Sequence, residues 1–321
     1  HQSMRDALIT MITVQGDTEF ASVEQQRHLL ASAPTDFDRY SAARIMAEEQ
    51  RHGWQMAYLL MTYFGQQGRR EAQKLLERNA QDGDRLLGAF NIPMPHWLDF
   101  FCYTMFVDRD GKFQLGMLST SAFKPLAASM GPMLKEEAFH LGTGFNGLRR
   151  IIKAGVIPLD LLQRYINKWV STAHDLFGVD ASSSAHWAYV WGVKGRWDER
   201  KKLEAGVEVD KATLNEESRG HYHQEIVGEV RKLCGYLSDD APKLYVPHEN
   251  FNRSIGTAKG QRFNVDGTPF EGSDDDWNAY LQANLPTDQD EIDLKELFKQ
   301  EWIANKPMST RQIESGIGVS A

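Results

Sequence analysis

The feature that most constrains the fold of this sequence is a carboxylate–histidine pattern that occurs twice. Residues 48–52 read EEQRH and residues 136–140 read EEAFH, so each segment contains Glu-x-x-His. In a helix this spacing places the acid and the imidazole one turn apart on the same face. A single such tetrapeptide is common on surface helices, but two copies in equivalent surroundings indicate a shared purpose.

Each copy also has an acid at a matching distance upstream. Glu19 lies 30 residues before Glu49, and Asp108 lies 29 residues before Glu137. A helix is predicted around each of these acids. One carboxylate from each of two helices, with Glu-x-x-His from each of the other two, is the ligand pattern of ferritin-like proteins that hold two metal ions. The sequence therefore predicts an all-α, ferritin-like four-helix bundle.

The residue types fit a centre of two iron ions that activates O₂. Carboxylates neutralise and bridge divalent cations, and imidazoles suit iron. A charged group on a buried helix stripe is costly unless it is paired or bound to a metal. The predicted metal-ligating and catalytic residues are Glu19, Glu49, His52, Asp108, Glu137 and His140.

The register of these ligands leaves alternatives open. Glu48 and Glu136 are four residues from the histidines, whereas Glu49 and Glu137 are three residues away, and we favour the latter pair. For the upstream acids, the matching intervals favour Glu19 over Asp17 and Glu24, and Asp108 over Asp110. Asp17, Arg51 and Asp110 are candidates for orienting the imidazoles.

The rest of the chain extends the bundle. Apolar periodicity and helix-ending residues predict helices over about 4–33, 36–65, 69–81, 96–122, 125–153, 158–176 and 208–236. Beyond about residue 240 the periodicity fades, and Asp266-Gly267 indicates a hairpin turn. We expect a helical domain over 1–240 and an irregular C-terminal extension over 241–321 packed on it. The aromatic residues from Trp97 to Phe106 are expected to form core and to wall a substrate channel. Gly16 and Gly142 are expected to mark kinks or close packing.

Composition excludes several classes of protein. With 36 basic against 44 acidic residues, the formal charge of −8 argues against a general nucleic-acid or membrane-surface binder. Two distant cysteines rule out a disulfide scaffold or a cysteine-based metal site. There is no apolar run long enough for a membrane span and no signal-peptide pattern, so a cytoplasmic location is expected. Met4 is preceded either by a cloning remnant or by further natural sequence.

Several segments resemble the oxygenase component of the benzoyl-CoA 2,3-epoxidase family, and the phenylacetyl-CoA epoxidase catalytic subunit is similar but more distant. The resemblance covers most of the chain. The segments that carry it are residues 15–19 (QGDTE), 22–28 (SVEQQRH), 108–114 (DRDGKFQ) and 136–140, and more weakly 175–178, 192–196 and 247–248. The family's ligands fall on the same six residues that the spacing selects. Relative to that family, this chain lacks a segment before the first ligand helix.

The resemblance implies a reaction and its partners. A separate, NADPH-dependent reductase would reduce two iron ions, and O₂ would then deliver one oxygen atom to the ring of an aryl-CoA thioester, most closely benzoyl-CoA giving its 2,3-epoxide. The resemblance is also compatible with a homodimer. Candidate phosphate contacts are Arg149, Arg150, Lys153, Lys194, Arg196 and Arg200. The alternative function is a di-iron N-oxygenase or hydroxylase with a non-CoA substrate; an iron-storing ferritin relative or a non-catalytic scaffold protein explains the sequence less well.

Overall fold

The computed structural model describes residues 1–195, 204–206 and 213–305. The helices in this part of the chain are α1 (Gln2–Gln26), α2 (Asp36–Tyr63), α3 (Gly65–Glu77), α4 (Trp97–Leu118), α5 (Lys124–Ala154), α6 (Leu159–Leu176), α7 (Ser183–Val190), α8 (Leu214–Cys234), α9 (Asp274–Asn284) and α10 (Asp288–Leu297). The described residues contain no β-strand, only one isolated antiparallel bridge. The prediction of an all-α protein is confirmed.

Local chemistry sets several helix ends. The Thr35 hydroxyl accepts a hydrogen bond from the backbone N–H of Asp38 at 3.2 Å and so caps α2. His96 caps α4 in the same way through its ring nitrogen. Gly155 follows α5 with φ of 66°, the left-handed conformation in which glycine commonly ends a helix. The first predicted helix is shorter than expected, because the α-helix ends at Gln26 and a 3₁₀ helix occupies Arg27–Ser32.

Four of the helices form the bundle. Helix α1 packs along α2, α4 packs along α5, and α2 also contacts α5. The α4–α5 contact is close because two glycines on α5 face α4. A Cβ at Gly144 would lie 2.4 Å from the backbone nitrogen of Met105, and one at Gly147 would lie 2.1 Å from the Phe101 ring. Gly16 is likewise a close-packing site, against Met56 and Leu75. A Cβ at Gly142 would meet nothing within 4 Å, so Gly142 is not a close-packing site, and a kink there stays a prediction.

The aromatic stretch on α4 is core, as predicted. Trp97, Phe100, Phe101 and Phe106 are all fully buried, and Tyr103 is nearly so. Helices α6 and α8 pack on the outer side of α4 and close this core. The same helix that carries Asp108 is therefore held on several sides, which fixes its position relative to α5.

The C-terminal segment is more regular than the fading periodicity suggests. Helices α9 and α10 lie outside the predicted set, and each begins with a capping box, at Ser273 and at Thr287. Leu294 and Phe298 join the main core, so the segment packs on the bundle. The predicted turn at Asp266-Gly267 is present, with Gly267 at φ of 87° and a single bridge between Phe263 and Pro269. The boundary between two domains at about residue 240 stays a prediction.

Within the described ranges, no helix has the length and apolar character needed to cross a membrane.

Candidate metal centre

The six predicted site residues come together in the middle of the bundle. Each of the four bundle helices contributes at least one of them: Glu19 from α1, Glu49 and His52 from α2, Asp108 from α4, and Glu137 and His140 from α5. All six side chains are buried, and both histidines are completely inaccessible. Four carboxylates and two imidazoles thus occupy one interior site, away from solvent.

Two overlapping groups within this cluster have the spacing of metal ligands. Glu19, Glu49 and His52 form one group, and Glu49, Glu137 and His140 form the other. In each group one potential ligand atom per residue lies within 4.8 Å of the others. Glu49 belongs to both groups, as a carboxylate that bridges two metal ions would.

Distances around His140 place Asp108 on its side of the cluster. The His140 Nδ1 atom lies 3.2 Å from a Glu49 oxygen, 3.5 Å from a Glu137 oxygen and 3.8 Å from a carboxylate oxygen of Asp108. On the other side, His52 Nδ1 lies 3.3 Å from Glu19 Oε2. Each imidazole therefore directs Nδ1 toward the carboxylates at the centre of the cluster.

The opposite ring nitrogens bind two further glutamates in a reciprocal arrangement. His52 on α2 contacts Glu136 on α5, with 2.6 Å between Nε2 and the carboxylate oxygen. His140 on α5 contacts Glu48 on α2, with 3.0 Å between the corresponding atoms. In each segment, the glutamate just before Glu-x-x-His therefore holds the histidine of the other segment. An outer carboxylate of this kind fixes the orientation of an imidazole.

Arginines hold these two outer glutamates. Arg44 Nε donates to Glu48 at 2.9 Å, and Arg51 Nη2 donates to Glu136 at 2.5 Å. Hydrogen bonds from the histidines and these arginines lower the pKa of both carboxyl groups against the opposing effect of partial burial. Glu48 and Glu136 are consequently carboxylates at neutral pH, and each can accept a hydrogen bond from an imidazole.

The geometry corrects part of the expectation about orienting residues. Asp17 does not contact an imidazole; it accepts hydrogen bonds from Arg85 at 3.1 Å and from the backbone N–H of Leu86 at 2.8 Å. Asp110 accepts from the Gln114 amide at 2.9 Å instead. Of these three candidates, Arg51 alone acts on an imidazole within the described residues, and it does so through Glu136.

Several polar atoms at the centre lack a hydrogen-bond partner among the described residues. They are Asp108 Oδ2, Glu137 Oε2 and His140 Nδ1, and all three are buried. Unsatisfied buried polar atoms are rare in folded proteins, and each requires an explanation. These three belong to the group around His140 and direct lone pairs into a small volume. They fit a bound divalent cation.

The crowding of acidic side chains changes their pKa values. Burial, followed by the neighbouring carboxylates Glu49 and Glu137, raises the pKa of Asp108 well above its usual range. Burial also raises the pKa of Glu137, and burial together with Glu19 raises the pKa of Glu49 to about 7. Protons must therefore compensate this negative charge when no cation does so.

The pKa values of the two histidines are also raised, which favours their charged form. Burial opposes their charged form, but the carboxylates around them outweigh it. Glu19, Glu49 and Glu136 raise the pKa of His52 to about 9, and Glu137, Glu48 and Glu49 raise the pKa of His140 well above its usual value. The cluster thus binds excess protons that divalent cations would displace.

A narrow cavity of about 100 Å³ adjoins the cluster between α1 and α4. Glu19, Glu49, Asp108 and Glu137 of the cluster line it, and the other polar lining residues are Gln15, Thr18, Asp110 and Gln114. The other walls are largely apolar and include Met11, Val14, Leu87, Phe90, Tyr103, Val107, Leu115, Leu118 and Leu176. Tyr103 is the member of the aromatic stretch that lines this cavity among the described residues, and the role of the stretch as the wall of a substrate channel stays a prediction. Sequence reasoning missed Leu87 and Phe90, in the connector before α4, because an irregular connector has no periodicity that assigns its side chains to a site.

The candidate phosphate contacts have varied surroundings. Arg150 pairs with the buried Asp38 and donates to the Ala304 carbonyl. Lys194 is buried and donates to Gln114 at 2.8 Å and Asn215 at 2.9 Å. Arg149 and Lys153 lie over the Tyr236 ring. Arg196 and Arg200 fall outside the described residues.

Comparison with known proteins identifies the family of the chain. Residues 1–242 match the family described as phenylacetic acid catabolic protein. The chain is 37% identical over 338 aligned residues to benzoyl-CoA oxygenase component B of Aromatoleum evansii, covering 92% of this chain and 71% of that protein. It is 22% identical over 262 residues to one of the subunits of the 1,2-phenylacetyl-CoA epoxidase of Escherichia coli (strain K12), covering 81% of this chain and 77% of that protein.

Proposed function

The chain belongs to the phenylacetic acid catabolic protein family and is an oxygenase enzyme, and on this premise we propose that it oxygenates the aromatic ring of an aryl-CoA thioester. Benzoyl-CoA is the proposed substrate and its 2,3-epoxide the proposed product. The observation that carries this proposal is the largely apolar cavity, which is lined in part by four carboxylates of the buried cluster.

We propose that the cluster holds two iron ions. Glu19, Glu49 and His52 would hold one ion, and Glu49, Glu137, His140 and Asp108 would hold the other. The unpartnered atoms of Asp108, Glu137 and His140 support this assignment. Iron fits the donor set because oxygen and imidazole donors together suit this metal. Bound iron supplies the activation of O₂, which the side chains alone cannot do.

The residues around the cluster have separate tasks in this proposal. Glu48 and Glu136 keep each Nδ1 directed at the centre by binding each Nε2. Apolar walls such as Val107 and Leu115 exclude water that would compete with the ring for the oxidant. The cavity is small compared with a CoA thioester, so only the acyl ring would enter it and the CoA moiety would lie outside.

The reaction requires external electrons. One oxygen atom of O₂ adds across a ring double bond and the other leaves as water, which consumes two electrons and two protons. We propose that a separate NADPH-dependent reductase delivers these electrons. The name of the Aromatoleum relative, component B, is consistent with a multi-component system.

The proposed function is tested by comparing thioesters with their free acids. Iron-loaded protein is reduced chemically, exposed to O₂ with benzoyl-CoA, phenylacetyl-CoA, benzoate or phenylacetate, and the products are analysed by mass spectrometry. We expect one added oxygen atom with benzoyl-CoA and no product from either free acid. Equal turnover of benzoate and benzoyl-CoA would contradict the proposal and favour an oxygenase with a non-CoA substrate. Glu137→Ala serves as the control for product formed without the cluster.

A further inference from the structure

Helix α2 exposes several large apolar side chains on one side. Trp54, Tyr58 and Met61 are 47%, 60% and 41% exposed, and their spacing of four and three residues places them on one face of the helix. Single exposed apolar residues are normal on a protein surface, but a contiguous group is typical of a surface that contacts another molecule. These three side chains therefore require a partner to explain them.

Helix α5 continues this surface. It runs antiparallel to α2, since Arg51 meets Glu136 at one end of the shared stretch and the Tyr63 and Phe123 rings lie 5.2 Å apart at the other end. The exposed residues of α5 along this stretch are small or basic: Lys124, Ala128, Gly131, Pro132, Lys135 and Ala138. The exposed residues of α2 from 51 to 63 and of α5 from 124 to 138 are called the α2–α5 face below.

The charge of the α2–α5 face is opposite to that of the whole chain. Its exposed charged residues are Arg51, Lys124 and Lys135, whereas the chain has a formal charge of −8. Within these two described stretches the acids are Glu136 and Glu137, and neither is exposed. The face is therefore apolar with basic residues among its apolar ones, and it is complementary in charge to an acidic surface.

A short hydrogen-bonded path joins this face to the cluster. Arg51, whose side chain is 53% exposed, donates to Glu136 Oε2 at 2.5 Å. The same oxygen lies 2.6 Å from His52 Nε2, and His52 is a proposed iron ligand. Two hydrogen bonds thus separate a surface residue from the metal centre. Electron transfer between proteins requires such a close approach, because its rate falls steeply with distance.

We infer that the α2–α5 face is the docking site of the electron-donating reductase, which would contact it with an acidic surface. This inference rests on the proposed function, in which the reaction needs external electrons. In the docked complex the reductase would oxidise NADPH to NADP⁺ and pass two electrons, one to each of two ferric ions. Tryptophan, tyrosine and arginine contribute most to the affinity of protein interfaces, so Trp54, Tyr58 and Arg51 would form the centre of the contact.

A second copy of the chain is a less suitable occupant of this face. In a twofold dimer the same surface of both copies meets. Arg51, Lys124 and Lys135 of both copies would then be brought together, and the described stretches supply no exposed acid to balance them. Like charges across an interface oppose association. The charge of the face therefore favours a different, acidic protein.

The test uses the iron-loaded full chain and the purified NADPH-dependent reductase that reduces its iron under anaerobic conditions. The Kd of the complex is measured by calorimetry, and iron reduction is followed by absorbance without substrate or O₂. Tyr58→Glu places a negative charge in the centre of the face and should weaken binding at least about tenfold. Lys135→Glu should slow association roughly tenfold at low salt, and the difference should shrink at high salt.

Two variants outside the face serve as matched controls. Ile292 on α10 is an apolar residue that is 54% exposed, and Lys259 in the C-terminal segment is an exposed lysine. Ile292→Glu and Lys259→Glu make the same changes of charge as the two face variants, and both should bind the reductase as the wild type does. Dithionite should reduce the iron of all four variants at the wild-type rate, which shows that the cluster is intact.

The outcomes separate the possible failures. Wild-type Kd and reduction rate in both face variants, or equal losses in the control variants, would overturn the docking site. A wild-type dimer that Tyr58→Glu converts to a monomer would also overturn it, because a second copy would then cover the face. If the face variants lose the reductase selectively but reduced wild type adds no oxygen to benzoyl-CoA, the proposed function fails while the docking site stands. If chemically reduced wild type oxygenates benzoyl-CoA and the reductase acts normally on the face variants, the docking site fails and the proposed function stands.

Discussion

The imidazole of His52 on α2 and the carboxylate of Glu136 on α5 lie 2.6 Å apart, and this contact is mirrored by His140 on α5 and Glu48 on α2 at 3.0 Å. The two outer contacts cross-link α2 and α5 through the residues that neighbour the proposed ligands. They also occupy each Nε2, so that each Nδ1 is directed at the central carboxylates. In both segments, the second glutamate lies at the centre of the cluster while the first acts on the opposite histidine.

This division of roles predicts different consequences for adjacent glutamates. Glu137→Ala should remove a metal ligand, lower the iron content and abolish oxygenation. Glu136→Ala should keep both iron ions and retain part of the activity, because loss of a carboxylate that orients a ligand typically costs roughly 10–100-fold. The same contrast should hold between Glu49 and Glu48. The measurement is iron per chain together with single-turnover product yield for all four variants.

The opposite result would identify the other register. If the Glu136 and Glu48 variants lose iron while the Glu137 and Glu49 variants retain it, the glutamates four residues from each histidine are the ligands. Melting temperatures of the four metal-free variants provide the control for folding.

The twofold pattern of ligands predicts two metal ions per chain. Glu49 belongs to both candidate ligand groups, so the ions should be close, about 3–4 Å apart as in other two-metal sites. Elemental analysis of fully loaded, active protein should give two iron ions per chain. A content of one ion, or of none, in active protein would contradict the assignment. His52→Ala and His140→Ala should each lower the content, because each histidine belongs to a different group.

A buried histidine far from the cluster predicts how stability depends on pH. Burial lowers the pKa of His96 to about 4, and its ring nitrogens contact the Asp99 backbone N–H and the Tyr165 hydroxyl. The unfolded chain, with an ordinary histidine pKa of about 6.5, binds more protons than the folded chain between these two pKa values. Stability should therefore be lost as the pH falls through this window.

The substitution His96→Asn keeps a capping side chain but removes this titration. When the pH falls from 7 to 5, protonation of this histidine in the unfolded chain should lower the unfolding free energy of the wild type by about 2 kcal/mol. The unfolding free energies of both proteins are measured in urea at the two pH values. The decrease should be smaller for the variant than for the wild type, by that same amount. An identical loss in both proteins would show that His96 does not contribute to the pH dependence.

Helix α5 offers a matched pair of glycines for a test of bundle packing. A Cβ at Gly147 would overlap the Phe101 ring, whereas one at Gly142 would meet nothing within 4 Å. Gly147→Ala should therefore destabilise the fold by roughly 1–3 kcal/mol through overpacking. Gly142→Ala should instead stabilise the helix by up to about 1 kcal/mol. Thermal or urea unfolding of the two variants measures the contrast, and equal effects of both substitutions would contradict the tight α4–α5 contact.

Sequence patterns are sufficient to predict the bundle and to predict that the six residues lie close together, because both features depend on helical periodicity. Glu49 and His52 must lie on one face once α2 is helical, and the upstream acids follow from helices of similar length. The outer contacts of Glu48 and Glu136 cannot be predicted in the same way. They depend on how α2 and α5 pack against each other, which no local spacing determines.

Other features escape sequence reasoning for related physical reasons. Helices α9 and α10 are short and mostly exposed, so they lack an apolar stripe, and only their capping residues Ser273 and Thr287 signal them. The position of Asp17 near Glu19 suggests an orienting role, but its true partner is Arg85, 68 positions away in sequence. Pairing at that distance has no sequence signature.

We propose that this protein inserts one atom of O₂ into the ring of an aryl-CoA thioester at the buried carboxylate–histidine cluster. The most direct measurement is a single turnover of reduced, iron-loaded protein with benzoyl-CoA under ¹⁸O₂, followed by mass spectrometry of the acyl-CoA product. We expect one ¹⁸O atom in the acyl moiety for the wild type and none for Glu137→Ala. Benzoyl-CoA recovered without ¹⁸O from fully reduced wild-type protein, or equal labelling by both proteins, would contradict it.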